Sequence, residues 1–295
     1  MTEKILEQRI GFVGLGRMGG GMAANLSKSA TNLTLYDLSP EKRDEYSGSY
    51  RVVDDVEALF GEVDILCLSM PGSPEVEVVV GGFLETGVAG KSVIDFSTSL
   101  PSSTKLLHTG MQEAGGHFLD APLSGGPQNA QEGTLNVMVG GEKEVYERHR
   151  PIFDAVATNV FYIGESGSAN IIKLATNFLA IQYNVLYAEI LPLVEKLGVD
   201  PQILFDIVSV SGANSKMFQL FAPKMIGMEF PISFQLNLAA KDLNYLKQIF
   251  ENNELPSTML DASLEIFEEA SSMGIMEGDT AELVRVVRKR YGMES

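Results

Sequence analysis

The chain has 295 residues, 45% of them hydrophobic and 21% charged, with 39 acidic against 22 basic side chains and a formal net charge of −17 at pH 7. That length and composition describe a soluble globular protein of one large domain or two ordinary ones, with room for a substantial core. So acidic a surface repels nucleic acid and anionic membranes, which excludes both as partners, and it obliges any anionic substrate to find local positive charge or backbone N–H groups.

In chain order, the opening "MTEKILEQRIGFVG" has charges but no apolar core of signal-peptide length. Arg9–Val13 reads as a strand and Met18–Lys28 as a helix, with "GLGRMG" between them. This is Gly14-x-Gly16-x-x-Gly19. In strand–turn–helix context it is the dinucleotide fingerprint, in which Gly14 allows the tight turn, Gly16 admits a pyrophosphate and Gly19 lets helix and strand pack closely. The helix N-terminus then offers N–H groups to phosphate. Gly14, Leu15, Gly16, Arg17, Met18 and Gly19 are the expected cofactor loop.

A second strand, Leu33–Asp37, ends in an acid at the spacing expected of a ribose-binding carboxylate. Asp37 can accept from a 2′-OH and repels a 2′-phosphate, which points to NAD, with NADP possible. Arg43 lies further on, in a helical stretch, and is not read as adjacent to Asp37. Strands then follow at Ile65–Ser69, Ser92–Asp95, His117–Asp120 and Leu135–Val139, with helical patterns at Glu75–Val80 and Ser102–Ala114. The alternation of the strands up to Ser92–Asp95 with helices predicts a parallel sheet covered on both faces, to which the last two strands are added. The only cysteine, Cys67, sits in an apolar strand, so no disulfide framework is possible and a reducing, cytoplasmic location is expected. His108, His117 and His149 are far apart and give no metal-ligand spacing, so no metal is expected.

The segment "LDAPLSGGPQNAQEGTLNVMVGG" is rich in small residues. Ser124, Gly125 and Gly126 can present consecutive N–H groups to a carboxylate, or can be an ordinary glycine loop between two strands. After Gly164 helical patterns dominate, at about 168–197, 201–210, 235–251, 257–273 and 279–290. The organisation expected is an α/β Rossmann-type amino-terminal domain, 1–164, followed by an all-α carboxy-terminal domain, 165–295. Pro192 predicts a kink or early end of the first helix.

That helix opens "SANIIKLATNFLAIQYN". At about 100° per residue, taking Asn170 as zero, Lys173 falls near −60°, Asn177 near −20° and Asn184 near −40°, a polar stripe roughly 60° wide. A buried core helix is expected, and on it the stripe must find polar partners. Either it faces a ligand cleft, or the lysine reaches solvent beside structurally paired asparagines. Near a nicotinamide a lysine has a purpose, because oxidising an alcohol removes a hydride and a proton, and burial brings a lysine's proton exchange towards neutral pH.

Together "GFVGLGRMGGGMAANL", "DAPLSGG…GTLNVMVGG", "GSANIIKLATN" and "FQLNLAAKDLNYL" resemble, in order and over nearly the whole chain, the signatures of the β-hydroxyacid dehydrogenase family. This family includes 3-hydroxyisobutyrate dehydrogenase, tartronate semialdehyde reductase and glyoxylate/succinic semialdehyde reductases. The resemblance implies an NAD(P)-dependent dehydrogenase acting on a small anionic hydroxyacid or its semialdehyde, usually a homodimer or homotetramer. By motif position it makes Lys173 the proton-transfer residue. Ser124, Gly125, Gly126 and Asn177 become substrate-binding residues, and Met70, Pro71, Thr98, Phe234, Lys241 and Asp242 line the cofactor end. The sequence departs from the family pattern at Ala169, where glycine is common, and at Thr176, where asparagine is. The alternatives are an NAD-binding scaffold without turnover and an NADP-dependent imine or carbonyl reductase. Lys173 and Asp37 argue against the latter.

Overall fold

A computed structural model describes residues 7–293; the expectation of no signal core rests partly on residues 1–6, outside the described part. The chain forms two compact units, one ending at Lys173 and one beginning at Leu174.

The first unit runs β1 (Ile10–Val13), α1 (Gly19–Leu26), β2 (Leu33–Tyr36), α2 (Pro40–Ser47), β3 (Arg51–Val52), α3 (Val56–Glu62), β4 (Ile65–Leu68), α4 (Ser73–Glu85), β5 (Ser92–Asp95), α5 (Pro101–Glu113) and β6 (His117–Asp120). It continues with β7 (Leu123–Ser124), α6 (Pro127–Glu132), β8 (Leu135–Gly140), α7 (Lys143–Val156) and β9 (Ala157–Gly164). The strands lie in the order β3-β2-β1-β4-β5-β6-β8-β7, with β9 also paired to β8. β3 through β6 are mutually parallel.

This parallel part of the sheet is the one the strand–helix alternation predicts, and the strands beyond β6 add an antiparallel part. β8 is antiparallel to β6 and β7, and β9 returns parallel to β8. The reason is local: the short α6 between β7 and β8 is a tight reversal, and such connections join antiparallel neighbours. Residues 143–164, where the sequence predicts no element, supply α7 and β9.

Both faces of the sheet are covered, and strand periodicity explains how. Ile10 and Phe12 of β1, Ile65 and Cys67 of β4 and Ile94 of β5 join one core with Met22, Leu26 and Phe153. Their alternates, Val13, Leu66, Leu68 and Val93, join a second core with Phe60, Val80 and Phe83. Each fully buried side chain of this size contributes about 1.5–3 kcal/mol. The strand order reverses between β1 and β4, so ligands belong at the carboxyl ends of these strands.

The helix α8 (Ser168–Lys196) has 29 residues and carries the chain from the first unit into the second. It runs through Pro192 for another turn instead of ending there. The second unit adds α9 (Pro201–Ser209), α10 (Lys216–Gly227), α11 (Leu236–Asn252), α12 (Thr258–Ser272), a 3₁₀ turn (Thr280–Glu282) and α13 (Leu283–Arg290). α10 was not anticipated; Ser215 caps it by accepting the Phe218 N–H at 3.0 Å. Leu174, Ile181, Val185, Ala188 and Leu191 of α8 meet Phe218, Phe221, Leu243, Phe267 and Val287 in one core.

Contrary to expectation α8 is not buried all round. Ile171, Leu179, Leu186 and Ile190 are exposed on the single chain, because the helix turns only one stripe into its unit's core. Among the described residues no helix is long and apolar enough to cross a membrane.

Candidate active site

The turn after β1 has the shape its glycines require. Gly14 adopts φ +96°, and a Cβ there would meet the Ser69 carbonyl oxygen at 2.2 Å. A Cβ on Gly19 would meet the Gly14 carbonyl oxygen at 1.8 Å, so strand and helix approach more closely than any side chain allows. At Gly16 a Cβ would meet nothing within 4 Å. The turn is therefore tight where it folds and open where a pyrophosphate would lie, and a dinucleotide fits it. Gly16 and Arg17 are exposed and Met18 half-buried, while Leu15 puts its side chain into the core. The N-cap residue Met18 makes no side-chain cap to α1, and the Gly20 N–H donates to the Gly16 carbonyl oxygen at 3.0 Å.

Asp37 follows β2. Its carboxylate accepts the Leu15 N–H at 2.6 Å and the Ser39 N–H at 2.8 Å. Arg43 is closer than its place in sequence suggested. From α2 its guanidinium turns back, donates to the carbonyl oxygens of Asp37 (2.8 Å) and Leu38 (3.0 Å), and lies 5.6 Å from the centre of the Tyr36 ring. The acid and the arginine flank the same strand end.

At the ends of β4, β5 and β6 one buried hydrogen-bond chain joins three loops. The Met70 N–H donates to Ser97 Oγ (2.9 Å), and the Ser97 N–H to Asp95 (2.9 Å). The Ser99 hydroxyl donates to the other Asp95 oxygen (3.2 Å), and the Ser99 N–H to Asn170 Oδ1 (2.9 Å). Asn170 donates its amide to Thr104 Oγ1 (3.2 Å) and its N–H to Asp120 (3.2 Å), whose other oxygen accepts the Gly167 N–H (2.9 Å). Burial pushes the Asp95 carboxyl up to about 6, against the hydrogen bonds from Ser97 and Ser99 that hold it down. Burial also raises Asp120, opposed by the N–H groups of Gly167 and Asn170. Thr98 is half-buried between two members of this chain, and Pro71 is exposed beside Met70.

Ser124 and Gly125 are exposed, Gly125 at φ +126°, in the stretch leading to α6. The Gly126 N–H already donates to Asn129 Oδ1 at 3.0 Å. The segment therefore offers fewer than the three N–H groups its sequence suggested. Lys173 is half-buried, one turn after Asn170 on α8.

In the second unit Asn177 donates its amide to Asp242 at 2.6 Å, and Lys241 Nζ lies 3.1 Å from the other Asp242 oxygen. The structure thus brings these three residues together. Phe234 lies on the loop before α11, where buried Asp279 accepts its N–H (3.1 Å) and that of Ser233 (2.6 Å). The asparagines left open by the helix stripe have structural partners: Asn170 as above, and Asn184, which donates to Thr280 Oγ1 at 2.9 Å. Sequence reasoning missed Asp95, Asp120, Ser97 and Ser99. The one available signal was an acid ending each of two neighbouring apolar strands, "VID" and "FLD".

Both parts of the chain match known protein families. Residues 9–164 match the family described as the NAD binding domain of 6-phosphogluconate dehydrogenase, and residues 167–287 the family described as NAD-binding of NADP-dependent 3-hydroxyisobutyrate dehydrogenase. The chain is 30% identical over 282 residues to 2-hydroxy-3-oxopropionate reductase of Escherichia coli (strain K12), covering 95% of this chain and 97% of that one. It is 29% identical over 291 residues to the chloroplastic glyoxylate/succinic semialdehyde reductase 2 of Arabidopsis thaliana, covering 97% and 81%. In fold it is similar to a Mycobacterium tuberculosis 3-hydroxyisobutyrate dehydrogenase solved with L-serine, with a TM-score of 0.87, 24% identity, and 96% and 100% of the two chains covered.

Proposed function

This chain belongs to the β-hydroxyacid dehydrogenase family, and from that premise we propose that it interconverts a short 3-hydroxyacid and its semialdehyde, using NAD in preference to NADP. Its amino-terminal unit is an NAD(P)-binding domain and the protein is an oxidoreductase. The observation that carries the finer reading is Lys173, half-buried one turn beyond a helix start fastened to the loops of Met70 and Thr98.

The residues that would hold the cofactor are the turn Gly14–Gly19, Asp37, Met70, Pro71 and Thr98, with Phe234, Lys241 and Asp242 from the helical part. When bound, the nicotinamide exchanges a hydride with the carbinol carbon. Lys173 takes the hydroxyl proton during oxidation and returns it during reduction, a role commonly worth 10²–10⁴-fold. Ser124 and Gly125, where the chain bends, hold the substrate carboxylate with Gly126 extended after them, and so fix which carbon reacts. Asn177, held by Asp242, orients the substrate oxygen beside the lysine. In this reading residues 1–164 hold the cofactor. Residues 165–295 are the substrate and oligomerisation domain of a homodimer or homotetramer, and the enzyme works in the cytoplasm. Arg43, at the carbonyl of Asp37, supports use of NADP as a second cofactor.

The test is a panel of 3-hydroxyacids and semialdehydes read by NAD(P)H absorbance, with Lys173→Ala alongside. The expected result is turnover of at least one short acid, and a loss of at least about 10²-fold in kcat in the variant with NADH binding kept. Full turnover by Lys173→Ala would overturn the assignment.

A further inference from the structure

We infer that Asp120 and Asn170 are positioning residues that set the rotation and height of Lys173, an inference that rests on the proton-transfer role proposed for that lysine. Neither residue has been given a part in the chemistry, yet both are fully buried at the base of the lysine helix.

A helix start leaves N–H groups without partners, and a side chain just ahead of the helix commonly supplies the acceptor. In α8 the acceptor comes from a distant strand. Asp120, the last residue of β6, accepts the Gly167 N–H with one oxygen and the Asn170 N–H with the other, at 2.9 and 3.2 Å. A buried carboxylate is costly unless it is well hydrogen-bonded, and a helix N-terminus favours negative charge. Here both conditions meet in one contact, which fixes the height of the first turn of α8 on the end of β6.

Asn170 fixes the rotation. Its side chain lies between two elements, accepting the Ser99 N–H after β5 and donating to Thr104 on α5. Lys173 follows three residues later, about 60° round the helix and about 4.5 Å along it. A rotation of about 20° would move a side-chain tip some 6 Å from the axis by about 2 Å. Misplacement by about 1 Å can cost 10²-fold in rate. The same chain continues through Ser99, Asp95 and Ser97 to the Met70 N–H, so the loops that would line the cofactor and the helix that carries the lysine share one frame.

The experiment is a double-mutant cycle in the full-length protein. Asn170→Ala and Asp120→Asn are each made alone and in the Lys173→Ala background. kcat, its pH profile, KM for the acid, NADH binding by fluorescence and thermal midpoint are measured for each. In the wild-type background each variant should lose about 10–10²-fold in kcat and shift the pH profile, while KM and NADH affinity change by less than about 3-fold. In the Lys173→Ala background the same substitution should change the residual kcat by less than about 2-fold, because there is no lysine left to misplace. Equal losses in both backgrounds would overturn the inference while leaving the role of Lys173 intact. So would a loss confined to KM or to NADH binding. Undiminished turnover by Lys173→Ala alone would remove both. Should Asp120→Asn fail to fold, the Asn170→Ala cycle decides by itself, since it leaves the buried carboxylate in place.

Discussion

The backbone N–H of Leu15, in the turn after β1, donates to the carboxylate of Asp37 at the end of β2 across 2.6 Å. Asp37 is therefore a support of the cofactor turn as well as a candidate ribose acceptor. Two consequences follow on its removal. The turn loses a charge-assisted hydrogen bond of about 1.5–3 kcal/mol, and a 2′-phosphate no longer meets a negative charge beside Arg43. For Asp37→Ser the ratio of kcat/KM with NAD to that with NADP should fall by roughly 10–10²-fold, with both values below wild type. Adding Arg43→Ala should remove the relative gain with NADP. Steady-state kinetics with both cofactors measure this, and an unchanged ratio would show that Asp37 does not discriminate between them.

How much of this could be read beforehand depended on the range of each interaction. The glycine turn and Asp37 were legible because they are features of one strand–turn–helix unit. The polar stripe on α8 was legible because helix geometry is periodic. The partners of Asn170 were not, because Ser99, Thr104 and Asp120 lie 71, 66 and 50 residues away and only the packed sheet brings them together. Arg43 was misjudged for a related reason. Six residues of sequence separate it from Asp37, but one turn of α2 carries its side chain back to the strand end. The reversal at β8 went unseen because α6 has only six residues, too few for a helical period to show. By hydropathy α8 reads as a fully buried helix, because hydropathy does not distinguish a side chain covered by its own unit from one exposed on the single chain.

A second prediction concerns Asn25, buried on α1. Its amide nitrogen lies within hydrogen-bonding distance of the carbonyl oxygens of Ala130 (2.8 Å) and Gln131 (2.9 Å), in the last turn of α6, and of Gly21 (3.0 Å). The two helices meet so closely that a Cβ on Gly21 would come within 2.8 Å of the Ala130 carbonyl carbon. Asn25 thus ties the helix that follows the cofactor turn to the helix that follows Ser124–Gly126. Asn25→Ala would leave those carbonyls without a buried donor, at a cost of about 1–3 kcal/mol. Urea titration should show that loss of stability. KM for the hydroxyacid should rise, since α6 follows directly on Ser124–Gly126. Equal stability to wild type would mean that the contact contributes nothing net.

The last prediction is about pH. His149 on α7 is buried, with Nε2 2.8 Å from Ser92 Oγ and with no hydrogen-bond partner for Nδ1 among the described residues. Burial first, and then the charges of Arg148 and His117, push it down from 6.5 to about 4. The unfolded chain therefore holds a proton between about pH 6.5 and 4 that the folded protein refuses. His149 leaves stability undiminished above pH 6.5 and subtracts from it progressively as the pH falls towards 4, by about 2–3 kcal/mol at pH 4.5. Asp95 acts in the opposite sense. Its carboxyl, pushed up to about 6, accepts a proton in the folded state before the unfolded chain does, so acidification below pH 6 relieves a penalty. The two groups partly cancel in the wild type, and His149→Gln should expose the difference. Relative to wild type, the variant should gain about 2–3 kcal/mol of unfolding free energy between pH 7 and pH 4.5, whatever its stability at pH 7. Urea titrations of both proteins at the two pH values measure it. Parallel pH dependences would mean that His149 is protonated in the fold, with a charged partner that its surroundings do not show.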